Sequence, residues 1–344
     1  MIEEAIQIIS NRKDLSYKMT KEVMDEIMTG KASEVQISSY ITGLAIKGET
    51  VEEITGSAAG MRKHCVKLLN DKPVLEIVGT GGDRANTFNI STTSSIVISA
   101  AGIPVAKHGN RASSSKCGAA DVVEALGANL NISPEHSKNI LDKIGFCFLF
   151  AQNYHIAMKF VAPVRKELAI RSIFNIIGPL ANPAGASMQV LGVYDESLVK
   201  PMAKVLSNLG VEKGIVVYGQ DGLDELSLSS PTTICKINHG KFEEKVITPE
   251  SVGLIRCKKE DLIGGTPKEN AKITMDILEG KKGPKRDAVI LNSAAGIHVA
   301  KPELSLLDSI DLASRIIDSG KAYKQLEDFI NLTKEMKYDI RQYS

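Results

Sequence analysis

The sequence predicts an α/β fold: a small N-terminal α-helical domain, then a larger α/β domain built on a mostly parallel central sheet. Three observations carry this expectation. Up to about residue 72 the apolar positions, such as Ile37, Tyr40, Ile41 and Leu44, fall at helical spacing. From residue 74 onward, short apolar strand-like runs alternate with helical ones, the pattern of a parallel βαβ chain. Glycines gather where strand-like runs end, and parallel sheets bind ligands at those carboxyl ends.

In chain order, Thr20 is expected to cap a helical segment that ends at Gly30. Ser33 and Gln36 form a capping box for a helix stopping near Gly48, and Thr50 and Glu53 form another for a helix running toward Leu69. The apolar face of these helices is too large to close on itself, so it should pack on the rest of the chain or on a second subunit. Residues 74–78, 103–106, 146–150, 188–194 and 214–218 read as strands. Residues 121–126, 134–144 and 198–209 read as helices, with Ser133 as N-cap and Pro134 at the first helical position of the second. Residues 152–187 break the alternation with a helical, proline-punctuated stretch. Its helices from about 160–187 are expected to join the N-terminal ones, which makes residues 1–72 one domain and 73–344 the other.

Composition narrows the classes. With 344 residues, 43% hydrophobic and 24% charged, the chain can bury a large core. A net charge of +1 leaves no electrostatic footprint for nucleic acid or anionic membrane. The five cysteines are widely spaced and include no Cys-x-x-Cys, so they read as reduced thiols of a cytoplasmic protein. The start, Met1-Ile-Glu-Glu, lacks a signal-peptide pattern, and no apolar run is long enough to span a bilayer.

The most informative segment is Gly79-Thr80-Gly81-Gly82-Asp83, directly after the first strand-like run. Glycines there permit positive φ and leave backbone N–H groups open to a phosphate. No Lys-Ser or Lys-Thr follows, so it is not a P-loop, and Arg84 sits where a dinucleotide fingerprint needs its third glycine. Taken alone, the pentapeptide reads equally as a tight strand-to-helix turn. Residues 86–95 then crowd Asn, Ser and Thr into the start of a helix, which suits an anion. Lys107, His108, Gly109, Asn110 and Arg111 follow the next strand, and two cations around a glycine could clamp an anion or form a solvated basic turn. Asp224 and Glu225 follow a later strand. Adjacent carboxylates are usually solvated, and a minority hold Mg²⁺ shared with a phosphate.

In their order and spacing these segments closely resemble the anthranilate phosphoribosyltransferase family. The likeness runs through Gly79–Asp83, Asn89-Ile-Ser-Thr92, the Lys107–Arg111 motif, Ser114-Ser-Lys116, the Ala-Asp-Val-Val-Glu-Ala-Leu-Gly run at 120–127, residues 161–183 and Asp224-Glu225. It implies a nucleoside phosphorylase/phosphoribosyltransferase-like fold and transfer of phosphoribosyl from 5-phosphoribosyl 1-diphosphate to anthranilate, in tryptophan biosynthesis. By resemblance, Gly79, Gly81, Gly82, Asp83, Thr87, Asn89, Ile90, Ser91 and Thr92 would surround phosphoribosyl diphosphate. So would Lys107, His108, Gly109, Asn110, Arg111, Ala112, Ser113, Ser114, Ser115 and Ala119. Gly79, Asn110 and Arg165 would contact anthranilate, and Ser91, Asp224 and Glu225 would hold Mg²⁺, as two ions. The apolar face of the N-terminal helices leads us to expect a homodimer through them, since isologous pairing is the commonest way to bury such a stripe. The charge and hydropathy give neither nucleic acid nor membrane as partner. Five positions depart from the family pattern: Cys117 and Ala119 stand for serines, Tyr154 and Ile156 interrupt a His-His-Pro stretch, and Ala169 replaces a glycine. A hydroxyl lost at Ala119 should weaken the phosphate ligand by roughly 0.5–1.5 kcal/mol.

Two other readings compete. A pyrimidine nucleoside phosphorylase has a similar fold but needs no Asp-Glu metal pair. A non-catalytic, nucleic-acid-binding homologue would show a basic surface and an eroded metal or acceptor site, whereas Ser91, Asn110, Arg165, Asp224 and Glu225 are all present.

Overall fold

A computed structural model describes residues 1–83, 85–112 and 115–335. Arg84, Ser113 and Ser114 therefore lie outside the described residues.

Four helices come first: α1 (Ile2–Ser10), α2 (Tyr17–Met28), α3 (Glu34–Lys47) and α4 (Val51–Lys63). Both capping boxes form, at Ser33/Gln36 and Thr50/Glu53. Thr20 does not cap. The N-cap of α2 is Ser16, whose hydroxyl accepts from Met19 N, while Thr20 sits inside the helix and donates its hydroxyl to the Ser16 and Tyr17 carbonyls. Helix α4 ends at Lys63, short of Leu69, because residues 66 and 68 instead donate their amides to Tyr154 O and Pro183 O. Glu53 is fully buried and locks the bundle: one carboxylate oxygen accepts from Leu15 N, the other from Lys47 Nζ and Thr50 N.

The second part alternates as expected: β1 (Leu75–Gly79), α5 (Ile90–Ala100), β2 (Val105–Gly109), α6 (Ala119–Ala125), α7 (Pro134–Ile144), β3 (Phe146–Phe150), α8 (Ala151–Tyr154), α9 (Ala162–Leu168), α10 (Phe174–Ile177), β4 (Met188–Gly192), α11 (Val199–Asn208) and β5 (Lys213–Gly219). Then come β6 (Thr232–Asn238), β7 (Lys241–Ile247), α12 (Pro267–Leu278), α13 (Pro284–Ala300), α14 (Leu306–Asp318) and α15 (Lys321–Glu335). The strands form one sheet in the order β3-β2-β1-β4-β5-β6-β7. The first five pair in parallel, whereas β5-β6 and β6-β7 are antiparallel. The β6-β7 hairpin turns at His239-Gly240, both at positive φ, a geometry that suits the twist of a hairpin.

Apolar packing covers both faces of the sheet. One face packs on α5 and α13, which α14 and α15 back, giving a core that includes Ile98, Val190, Ile297 and Phe329. The other face joins α11 to the N-terminal bundle, and Val161, Val164, Phe174, Ile177 and Leu180 belong to the same cluster as Ile41, Leu44 and Ile54. Residues from Val161 to Ala181 thus share a core with the N-terminal helices, while Ala184 and Ala186 belong to another cluster.

The chain goes from β1 outward to β2 and β3, then returns on the other side of β1 as β4. The point between β1 and β4 is the topological switch where an open α/β sheet presents a crevice. Gly79 and Gly192 face each other there, each the last residue of its strand.

Candidate active site

The site is built around that switch point. A Cβ on Gly79 would lie 2.2 Å from Asp224 Oδ2, and one on Gly192 would lie 1.6 Å from the Asp224 carbonyl oxygen. Both glycines are required because the Asp224-Glu225 loop closes directly over the ends of β1 and β4. What the missing Cβ of Gly79 admits is therefore this loop, more than a ligand. Gly81 and Gly82 do what the sequence suggests, turning the chain at φ 70° and 76°. Asp224 Oδ2 accepts from Gly81 N at 2.6 Å, while the amides of Gly82 and Asp83 have no partner among the described residues. Asn292, buried on α13, pins the acidic loop by exchanging hydrogen bonds with Leu226 N and O.

Helix α5 starts beside this loop, and its hydroxyls serve two purposes. Thr93, Ser94, Ser95 and Ser99 are buried; Thr93, Ser94 and Ser99 tie the helix into the core, to Thr274, Val289 and Gly145 respectively, while Ser95 bonds back to Thr92 O within the helix. Only the first turn faces the crevice. Ile90 is 1% exposed and belongs to the core, so only its backbone could serve a ligand. Ser91 N donates to Glu225 Oε1 at 3.2 Å, and the Thr92 N–H has no partner among the described residues. Asn89 is the N-cap residue, yet its side chain does not cap. Thr87 bridges to Ile263 just before the helix.

The two cations of the Lys107–Arg111 motif separate. Lys107 and His108 lie within β2, so their side chains take opposite faces of the sheet. Lys107, 1% exposed, reaches to Ile77 O at 2.5 Å and Ser91 Oγ at 3.3 Å. Burial lowers its pKa, opposed by the carboxylates of Glu76, Glu225 and Asp224. His108 packs against His155, with ring centroids 5.0 Å apart and the planes tilted by 55°, and burial keeps both imidazoles neutral at pH 7. Gly109 ends the strand, where a Cβ would crowd Ala119 and Phe148, and Asn110 follows, exposed. Arg111 pairs with Asp121 and Glu124 on α6 and lies over the Phe150 ring. As the structure stands, the clamp is one buried lysine and one engaged surface arginine. Asp121 also accepts from Ala112 N and Gly118 N, closing the loop that carries exposed Ser115.

Arg165 stands on α9. Its guanidinium lies 5.7 Å from the Phe174 ring centroid, half-buried, with no carboxylate or hydrogen-bond partner among the described residues. Burial alone lowers its pKa. Such a cation is a ready anchor for a carboxylate. Ala169, at the end of α9, has φ 50°, which explains why a glycine would suit this position.

The acidic residues are crowded. Burial, then the neighbouring charges of Asp83 and Glu225, raises Asp224 well above the usual carboxylate range, and burial pushes Glu225 up to about 7. A divalent cation would relieve this crowding, and the carboxylate and hydroxyl oxygens of Asp224, Glu225 and Ser91 are the hard donors that Mg²⁺ takes. No three His, Cys, Asp or Glu side chains among the described residues could enclose a metal alone. Two carboxylates completed by substrate phosphate are a usual Mg²⁺ arrangement.

Sequence reasoning missed Glu76, Asn270, Asn292 and Arg171. Glu76 is fully buried in β1, accepts from His108 N, and is pushed up to about 7 by burial. Arg171 donates to Gly82 O and stacks on Tyr194, 4.3 Å from its ring centroid. A carboxylate inside a strand such as 74–78 was the one visible signal.

Comparison with known proteins defines the class first. Residues 3–65 match the helical bundle domain, and residues 71–323 the a/b domain, of a glycosyl transferase family. The anthranilate phosphoribosyltransferase of Methanobrevibacter smithii is 66% identical, over 97% of this chain and 99% of its own. The crystal structure of the Thermus thermophilus anthranilate phosphoribosyltransferase superposes with a TM-score of 0.91 at 42% identity, covering 96% of this chain and 99% of that one. The Saccharomyces cerevisiae enzyme in complex with PRPP and Mg gives 0.90 at 28% identity, covering 97% and 98%. The chain belongs to the anthranilate phosphoribosyltransferase family. These full-length relatives lend nothing to the nucleoside phosphorylase or nucleic-acid-binding alternatives.

Proposed function

We propose that the chain transfers the phosphoribosyl group of 5-phosphoribosyl 1-diphosphate to the amine of anthranilate, releasing diphosphate, as a step of tryptophan biosynthesis. The full-length 66% identity to an anthranilate phosphoribosyltransferase carries the reading. The glycine loop, the open start of α5 and the acidic pair, brought together at one switch point, support it.

The diphosphate end lies against the amides of Gly82, Asp83 and Thr92, with Lys107 beneath. Fixed N–H donors stabilise charge that develops as the leaving group departs. Asp224, Glu225 and Ser91 would hold Mg²⁺, as two ions with substrate bound, and the metal supplies further neutralisation of the diphosphate. Arg165 takes the anthranilate carboxylate, which orients the amine toward C1′. The aryl amine is neutral at pH 7 and attacks with its lone pair. The N–C1′ bond forms, the C1′–O bond breaks with its electrons leaving on diphosphate, and the resulting ammonium loses a proton to solvent. Positioning does most of the work, so no acid–base residue is assigned.

The N-terminal helices also form a two-fold dimer, in this reading. Val35 and Ile46 are 76% and 75% exposed and, with Ser39 between them, lie on one face of α3. A monomer by light scattering at micromolar concentration would reject that part. The function is tested by loss of anthranilate fluorescence, expected only with phosphoribosyl diphosphate and Mg²⁺ both present. Turnover of uridine or thymidine with phosphate instead would overturn it.

A further inference from the structure

The N-cap of α5 poses a question that the reaction alone does not answer. An N-cap Asn normally accepts from the N–H of the second or third helical residue. Here that would be Ser91 or Thr92, but Asn89 caps neither, and Thr92 N–H has no partner among the described residues. The Asn89 carboxamide points away from its own helix. Its Oδ1 accepts from Asn270 Nδ2 at 2.9 Å and from Cys117 Sγ at 3.3 Å, and its Nδ2 donates to Cys117 O at 3.2 Å.

Asn270 is 1% exposed, on α12, 181 residues away in sequence. Its Oδ1 accepts from Gly265 N at 2.7 Å. That amide can only donate, so it fixes the orientation of the whole chain of bonds. Asn270 must present its NH₂ to Asn89, Asn89 must offer oxygen in return, and the Asn89 NH₂ must face the Cys117 carbonyl. The segment behind this relay is rigid. Phe88 N donates to Leu262 O, Gly264 N donates to Asn86 O, and a Cβ on Gly264 would lie 2.6 Å from Phe88 Cα.

We propose that Asn270 is a positioning residue for the phosphate ligand: by holding the Asn89 carboxamide off its own helix, it keeps the first turn of α5 uncapped and open to an anion. Without it, the Asn89 oxygen rotates back to the Thr92 N–H and competes with the diphosphate for that donor. The effect belongs to the phosphate ligand and not to the acceptor, because Arg165 lies on a different element. The inference rests on the proposed reading of the site.

The test uses the full-length wild type and Asn270→Ala, with phosphoribosyl diphosphate and Mg²⁺ titrated calorimetrically and both KM values measured by anthranilate fluorescence. Asn270→Ala should weaken phosphoribosyl diphosphate about tenfold, in Kd and in KM, through one competing cap bond. The anthranilate KM should stay within about twofold. A wild type that binds no phosphoribosyl diphosphate would overturn the site reading itself. A wild type that binds, with Asn270→Ala unchanged or with both KM values raised alike, would overturn only the role of Asn270. If Asn270→Ala fails to fold, Asn270→Asp keeps the acceptor for Gly265 N but cannot donate to Asn89. It should show the same selective loss, and wild-type behaviour would mean that Asn270 only tethers the 264–265 turn.

Discussion

Arg165→Met separates function from folding more sharply than any other single change. The guanidinium is half-buried over Phe174 and lacks an anionic partner among the described residues, so the fold bears a partly desolvated charge that faces a ring and no carboxylate. Methionine keeps the aliphatic stem against Phe174 and removes the charge. In the substrate complex the same charge meets a carboxylate, and truncating one side of a desolvated pair costs about 2–5 kcal/mol. At about 1.36 kcal/mol per decade this is a fall of about 30-fold to several thousandfold in kcat/KM for anthranilate. The protein should be no less stable than wild type, so both are assayed at equal concentration. The measurements are anthranilate fluorescence kinetics, calorimetric binding of phosphoribosyl diphosphate, and urea unfolding. Acceptor kcat/KM should collapse while phosphoribosyl diphosphate affinity holds and the unfolding midpoint stays or rises. Parallel loss of stability and of both substrates would refute the argument and make Arg165 a structural residue of α9.

The buried imidazole of His155 should make stability pH-dependent. Burial lowers its pKa to about 4, from an ordinary 6.5, so the unfolded chain binds the extra proton and stability falls as pH drops below about 6.5. Between pH 7 and 5 this residue should account for about 2 kcal/mol, measured as the difference in the pH dependence of urea-unfolding free energy between wild type and His155→Gln; equal dependences would contradict it. Asp224→Asn with Glu225→Gln should lower kcat and weaken its dependence on Mg²⁺, while phosphoribosyl diphosphate affinity falls less, because Lys107 and the open amides remain. An unchanged kcat across a Mg²⁺ titration would reduce the pair to a structural loop. Ala169→Gly should stabilise the protein by about 0.5–1 kcal/mol, relieving a left-handed alanine at the end of α9, and a lower unfolding midpoint would count against that.

Much of this protein was determined locally. The capping boxes at Ser33 and Thr50, the Ser133-Pro134 helix start, the run 146–150 and the turn at Gly81-Gly82 depend on neighbours within a few residues, so the sequence displays them directly. The β6-β7 hairpin is equally local, with His239-Gly240 set between two strand-like runs, although it was not among the expected strands. Thr20 misled because a hydroxyl inside a helix and one at its start look alike when Ser16 stands four residues earlier.

The site residues were legible as types, but their partners were not. Gly79 and Gly192 are glycine because Asp224 crosses above them, with the Gly81–Asp224 bond spanning 143 residues. Lys107 points to Ser91 while Arg111 turns to α6, because one lies inside β2 and the other beyond its end. Asn89 looks like a helix cap in sequence, yet its carboxamide is bonded to Asn270 instead. Propensity and periodicity report on the chain within a turn or two of a residue. Which donor meets which acceptor across more than a hundred residues is decided only when the sheet order brings their elements together and burial makes every unpaired group costly.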